Sequence, residues 1–160
     1  MRNSKIPVKV RTALAEGNIR LANAILKKPY SFLGIVVRGQ QLGRILGFQT
    51  ANLKLNHHSP LFLANGIYAV KVTLDKITYK GMANIGIRPT LDQHELTIEV
   101  NIFGFEGDIY GQELVVHFID RVRDEKKFNS LDELKEQIAR DKIQITEILS
   151  TGMHSDPNPK

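Results

Sequence analysis

The sequence contains no cysteine and no tryptophan, and aromatic residues make up only 7% of it. Without cysteine there is no disulfide and no thiolate metal site, which fits a cytoplasmic protein. Without tryptophan, and with no ordered alternation of basic and aromatic residues, a surface for stacking bases is poorly supplied. No run of about 18 apolar residues occurs, so no transmembrane helix is expected. The opening residues M-R-N-S-K-I-P-V-K-V-R lack the apolar segment of a signal peptide. The expectation is a cytoplasmic protein with no membrane partner and no nucleic-acid partner. The G-x-x-x-x-G-K-[ST] spacing of a P-loop is missing, and so is the Rossmann glycine fingerprint. There is no internal repeat and no low-complexity segment.

What is present is ordinary in bulk. The 160 residues suit one domain with an appendage, and 42% hydrophobic and 24% charged residues suit a globular chain. The net charge of +5 favours anionic partners, nucleotides as well as nucleic acids, and does not choose between them.

The informative stretch is Gly34–Asn52, G-I-V-V-R-G-Q-Q-L-G-R-I-L-G-F-Q-T-A-N. A β-rich run, Ile35–Arg38, leads into Gly39, Gly43 and Gly47, with Arg44 among them. Glycines let backbone amides approach an anion, and arginine clamps phosphate. Thr50 and Asn52 offer hard oxygen donors of the kind Mg²⁺ accepts. The spacing also describes a glycine-rich hairpin with a surface arginine, and Thr50 and Asn52 also suit a polar strand start.

Either side of this stretch the pattern changes period. Ile6–Lys28 reads as two short helices: Val10 and Leu14 lie four apart, Gly17 is a stop, and Asn18 caps a second helix. The apolar stripe of that second helix reads as Leu21, Ala22, Ile25 and Leu26, and Pro29 ends it. Candidate strands are Ser31–Arg38, Gly66–Leu74, Ile77–Ile85, Glu95–Phe103 and Glu113–Val122. Alternation is clear at Tyr68, Val70, Val72 and Leu74, and again at Leu96, Ile98, Val100 and Ile102. Asp75-Lys76 makes a hairpin turn, and Gly107-Asp108 marks another turn. Five or six short strands with short connections suggest a closed antiparallel barrel. Leu53–Asn65 reads as a loop. Its His57 and His58 lack a third ligand at metal spacing and read as solvated, as do His94, His117 and His154. Ser130–Leu149 is the clearest helix, with Ser130 and Glu133 as a capping box and Leu131, Leu134, Ile138, Ile145 and Leu149 near one face.

The stretch Gly34–Asn52 resembles the start of the riboflavin kinase module, familiar as the C-terminal half of bacterial bifunctional riboflavin kinase/FAD synthetases. That family shows G-x-V-x-x-G-x-x-x-G-R-x-L-G-F-P-T-A-N, and Gln49 stands here where the family has proline. Asn84–Thr90 matches its N-I-G-x-R-P-T. Glu99–Phe105 with Asp108–Gly111 resembles E-x-H-[IL]-[FL]-D-F…D-[LI]-Y-G, with Asn101 for histidine and Gly104 for aspartate. Arg121–Leu131 resembles R-x-R-x-E-x-x-F-x-S-L. The resemblance covers about Tyr30–Leu149 in four ordered blocks.

The resemblance implies a mainly β fold: a six-stranded antiparallel Greek-key barrel with a C-terminal α-helix and a short N-terminal helical leader. It divides the chain into a leader, 1–29, at the junction with an adenylyltransferase domain that is separate or deleted, and a kinase barrel with its helix, 30–150; the remaining 151–160, with two prolines and no apolar run, reads as a flexible tail. The implied activity is transfer of the ATP γ-phosphoryl group to the riboflavin 5′-hydroxyl, giving FMN and ADP with Mg²⁺. Gly39, Gly43, Arg44, Gly47 and Thr50 would bind ATP, Thr50 and Asn52 the metal, and Glu99 would be the general base. Arg123, Glu125 and Phe128 would face the flavin, a role that competes with docking the helix. FAD synthesis is not expected, since Ile6-Pro7-Val8-Lys9-Val10-Arg11 lacks the hydroxyls of the family's S-S-T-x-I-R. Two other readings stay open: a flavin- or nucleotide-binding relative with catalysis weakened at Gln49, Asn101 and Gly104, and a basic nucleic-acid-binding barrel.

Overall fold

The structure is a computed structural model that describes residues 6–38, 49–55, 62–89, 91–92 and 94–151. Two helices, α1 (Val8–Ala15) and α2 (Ile19–Leu26), precede six strands, β1 (Tyr30–Val37), β2 (Thr50–Leu55), β3 (Gly66–Leu74), β4 (Ile77–Pro89), β5 (His94–Ile102) and β6 (Glu113–Arg123). A long helix, α3 (Leu131–Thr151), follows. All strand pairs are antiparallel and close in the order β1-β2-β5-β4-β3-β6. Strands β3, β4 and β5 are sequential neighbours, and β6 returns beside β3, which is the Greek-key connection. Closure leaves no unpaired edge.

Alternation sends one face of each strand inward. Ala51 and Leu53, Val70 and Val72, Ala83 and Ile85, Ile98 and Val100, and Val116 and Phe118 are all buried in one cluster. Phe118 centres it, with the rings of Tyr68, Phe32 and Tyr30 at 5.2, 5.4 and 6.2 Å. The β3–β4 hairpin turns through Asp75 and Lys76, both with positive φ (50° and 69°), as a two-residue turn matching strand twist requires.

Strand β2 corrects the sequence reading, which treated Leu53 onward as loop. Thr50–Leu55 pairs with β1 through Val37↔Asn52 and with β5 through Thr50↔Asn101. The six residues T-A-N-L-K-L do alternate, with Ala51 and Leu53 turned inward, but the run is short and follows directly on the glycine-rich stretch; β1 and β5 on either side supply its hydrogen bonds. The stripe of α2 holds in part: Ala22 and Leu26 pack into the core as expected, but its centre is shifted. Ile19 and Ala22 are buried, whereas Leu21 and Ile25 face outward. The reason is tertiary: Asn23 donates to the Phe118 carbonyl at 2.8 Å and accepts from Tyr30 N–H at 2.8 Å, turning that face toward the barrel. Asn18 caps the helix as expected, accepting from Leu21 N–H at 3.1 Å. The leader residues Val10, Ala13, Leu14, Ile19 and Ala22 share the barrel's apolar cluster. His117 is not a solvated histidine: it is half-buried on β6, with Nδ1 2.8 Å from Ser31 Oγ and Nε2 3.1 Å from Thr73 Oγ1. Burial, then the charge of Lys71, lower its pKa below the ordinary 6.5.

Helix α3 lies on the outside of the barrel. Ser130 Oγ accepts from Glu133 N–H at 3.2 Å, and the Glu133 carboxylate accepts from Asn129 N–H at 3.0 Å, one residue before the expected box partner. Ile145 and Leu149 pack with Ile67 and Ala69 of β3 in a second cluster. This explains why β3 is buried on both faces at its start: one face lies inside the barrel, the other under α3. Leu131, expected on the apolar face, is exposed.

Candidate functional site

The outward faces of β2, β5, β4 and β3 form the floor of the site. Register builds it in two rows. One row runs Thr50, Asn101, Met82, Ala69, and the next runs Asn52, Glu99, Asn84, Ile67. Residues directly opposite on neighbouring strands hold their Cβ atoms about 4.5–5.5 Å apart, so each row is a contact series. Both rows pass from hydrogen-bonding side chains on β2 and β5 to apolar ones on β3. The roof is α3 with the segment after β6, contributing Leu134, Ile138, Asp141, Glu125, Lys126 and Phe128. Between floor and roof is a cavity of about 290 Å³. That is near the lower end of the roughly 300–1,000 Å³ typical of ligand sites.

Of the residues singled out from sequence, Thr50, Glu99, Arg123, Glu125 and Phe128 all line this cavity. Asn52 stands opposite Glu99 in the same row as Asn84. Gly39, Gly43, Arg44 and Gly47 lie outside the described residues. His57, His58 and His154 do too. Thr50 and Asn52 supply neutral oxygens, and among the described residues no group of three or more His, Cys, Asp or Glu is arranged to hold a metal. Two neutral oxygens beside a carboxylate fit a hard cation that keeps waters and arrives on phosphate, rather than one caged by protein.

The roof is held by a buried ion pair. Asp141 is 1% exposed and receives Arg123 in a fork: Nη2 donates to Oδ2 at 2.7 Å, and Nε reaches Oδ1 at 3.0 Å and Oδ2 at 3.1 Å. Gln137 Nε2 adds a fourth bond to Oδ1 at 2.9 Å, and Arg123 Nη1 donates to the Asp124 carbonyl at 3.0 Å. The Arg123 guanidinium is therefore spent on docking α3, and its place in the cavity wall follows from that. Arg123 and Lys126 both sit over the Phe128 ring, at 6.0 and 5.7 Å from its centroid. Glu125 packs over Gly86 of β4 so closely that a Cβ there would lie 2.5 Å from Oε2.

Sequence reasoning missed Asp141 and Asn84. Asp141 had a usable signal: the stripe Leu134, Ile138, Ile145 and Leu149 passes through position 141, so a carboxylate falls on the buried face. Asn84 sits beside Glu99 with its side-chain oxygen buried and without a hydrogen-bond partner. Such a buried acceptor costs about 1–3 kcal/mol and is characteristic of places that receive a ligand.

The Gln49 side chain bonds the backbone of the turn after β5. Its Nε2 donates to the Gly107 carbonyl and its Oε1 accepts from Gly107 N–H at 3.3 Å. The Gln49 carbonyl accepts from Asn101 Nδ2 at 2.9 Å.

A family model described as Flavokinase: Riboflavin kinase matches residues 26–149. The bifunctional riboflavin kinase/FMN adenylyltransferase of Bacillus subtilis (strain 168) is 43% identical over 144 residues, covering 88% of this chain and 45% of that protein. A solved structure titled as a macrolide-efflux protein from Streptococcus pneumoniae superposes with a TM-score of 0.81 at 38% identity, covering 89% of this chain and 47% of that one. The riboflavin kinase of Trypanosoma brucei superposes with a TM-score of 0.57 at 26% identity, covering 76% and 80%. The chain thus spans about half the length of its bacterial relative. No helix among the described residues is long and apolar enough to cross a membrane. With the barrel, the outer-face site and a family match running from the end of α2 to the last turns of α3, the chain belongs to the riboflavin kinase (flavokinase) family.

Proposed function

We propose that this chain transfers the γ-phosphoryl group of ATP to the 5′-hydroxyl of riboflavin, giving FMN and ADP. The observation that carries this is one row of the floor: Glu99 lies between Asn52 and Asn84, and it lines the same cavity as Thr50 and Phe128. A carboxylate is thereby set between oxygen donors suited to a phosphate-borne cation and an apolar wall suited to a flat ring. Phosphoryl transfer asks for in-line positioning and charge neutralisation more than for covalent chemistry.

Glu99 orients the 5′-hydroxyl and accepts its proton as the new O–P bond forms and the bond from the γ-phosphorus to the bridging oxygen of ADP breaks. Thr50 and Asn52 hold the Mg²⁺ that accompanies ATP, whose charge offsets that of the phosphates. Gly39, Gly43, Arg44 and Gly47 cradle the phosphates, on the strength of the sequence resemblance. Phe128 and Glu125 face the isoalloxazine ring, while Arg123 keeps α3 in place as the slot's roof. The leader, 1–29, supports the barrel, and a cytoplasmic location suits these substrates. FAD synthesis is not expected, because Ile6–Arg11 carries no hydroxyl at the matching positions.

Incubation with riboflavin, ATP and Mg²⁺ followed by chromatography tests the reading. FMN should accumulate with ADP in equal amounts, and FMN with ATP should give no FAD. Absence of FMN at any Mg²⁺ concentration overturns the kinase reading, and stoichiometric FAD overturns the second part.

A further inference from the structure

Gln49, Asn101 and Gly104 depart from the family pattern at separate points in the sequence, yet fold into one connected unit. Asn101 is buried on β5, at 7% exposure, and its amide nitrogen holds the Gln49 carbonyl. The Gln49 side chain reaches the other way and bonds both backbone groups of Gly107. Gly107 belongs to the turn after β5 in which Gly104 takes φ +73°, with no heavy atom within 4 Å of where its Cβ would stand. Glycine is at ease in that left-handed conformation. The next residue after Gln49 is Thr50, which opens β2 opposite Asn101.

We propose that Gln49 and Asn101, anchored on the Gly104–Gly107 turn, form a brace that sets the position of Thr50 and hence of the phosphate side of the site. A proline at 49 would restrain the backbone from within by fixing its own φ. Here the restraint comes from outside: the carbonyl is tied to β5 and the side chain to a turn 58 residues away. Gln49 is thus a positioning residue, its side chain engaged by Gly107 and its carbonyl by Asn101. The consequence for ATP rests on the kinase reading above; the consequence for Thr50 does not.

Gln49→Ala removes both side-chain bonds at an exposed position, so the barrel should fold unchanged. Losing about one net hydrogen bond should speed exchange of the Gly107 amide and raise KM for ATP, each about fivefold to tenfold. The riboflavin Kd should stay within about twofold. Gln49→Glu keeps the acceptor for Gly107 N–H but loses the donor, and should fall between wild type and Gln49→Ala. The brace is overturned if KM for ATP does not move while Gly107 exchange rises, or if riboflavin affinity falls by the same factor as ATP affinity. Should the wild type make no FMN, the kinase reading fails separately. The Asn101 side-chain amide resonances of ¹⁵N-labelled protein, remote in sequence from residue 49, then decide: a shift in Gln49→Ala supports the brace and unmoved resonances overturn it.

Discussion

Replacing Asp141 by asparagine isolates what the buried ion pair contributes. The substitution keeps the volume and one oxygen, and removes the charge that answers Arg123. Breaking a buried pair by removing one partner costs about 3–5 kcal/mol where the survivor is fully stranded. Here the Arg123 side chain remains 20% exposed, so water screens part of its charge. It also keeps its bond to the Asp124 carbonyl. An expected loss of about 2–3 kcal/mol follows from scaling the buried-pair cost down for that partial exposure. For a chain of this size that is roughly 5–10 °C in Tm. Urea unfolding followed by circular dichroism gives the free energy, and riboflavin titration gives the consequence for the cavity, whose roof the pair holds. The double variant Arg123→Met with Asp141→Leu replaces the pair by apolar groups and should recover most of the stability. It should bind riboflavin within about threefold of wild type, because the guanidinium acts by docking α3. A loss below about 0.5 kcal/mol in Asp141→Asn, the level of an ordinary surface change, would refute the reasoning about the roof.

Glu99→Gln should fold normally and bind both substrates but lose on the order of 10²-fold or more in single-turnover rate; a rate within threefold of wild type removes Glu99 from catalysis. Asn52→Ala should cut turnover strongly while leaving riboflavin binding nearly intact, and normal turnover across a Mg²⁺ titration would count against its metal role. Gly86→Ala should leave stability within about 0.5 kcal/mol, since the atom it displaces is the end of the flexible Glu125 side chain. It should nevertheless weaken riboflavin binding by moving Glu125, and unchanged affinity would remove Glu125 from the flavin side. His117 has its pKa lowered from 6.5 in the fold by burial and by Lys71, so the unfolded chain takes up its proton first as pH falls. Its contribution to stability is present above pH 6.5 and declines below it until the lowered folded pKa is passed. His117→Gln should flatten that acid limb in urea unfolding series, and an unchanged slope would locate the pH dependence elsewhere.

Much of this protein was legible one residue at a time. Period-two alternation marked β3 and β5, because each packs one face into the barrel. The capping residues Asn18 and Ser130 were readable because a cap acts within four residues of itself. The ordered blocks Gly34–Asn52, Asn84–Thr90, Glu99–Gly111 and Arg121–Leu131 carried the family, and Thr50, Glu99, Glu125 and Phe128 do meet at one cavity. Tertiary structure decided the rest. Strand β2 alternates over only six residues, too few to stand alone, and is fixed by β1 and β5, which hydrogen-bond it from both sides. The buried face of α2 is the one that lets Asn23 satisfy Phe118 and Tyr30, which lie in other elements. Gln49 looked like the loss of a rigid residue, and only the fold brings Gly107 and Asn101 within reach of it. Asp141 could be charged and buried because Arg123, 18 residues earlier, arrives at the same point to neutralise it. A local pattern reports which face of an element is apolar; it carries no information about which distant group will complete a hydrogen bond or answer a charge.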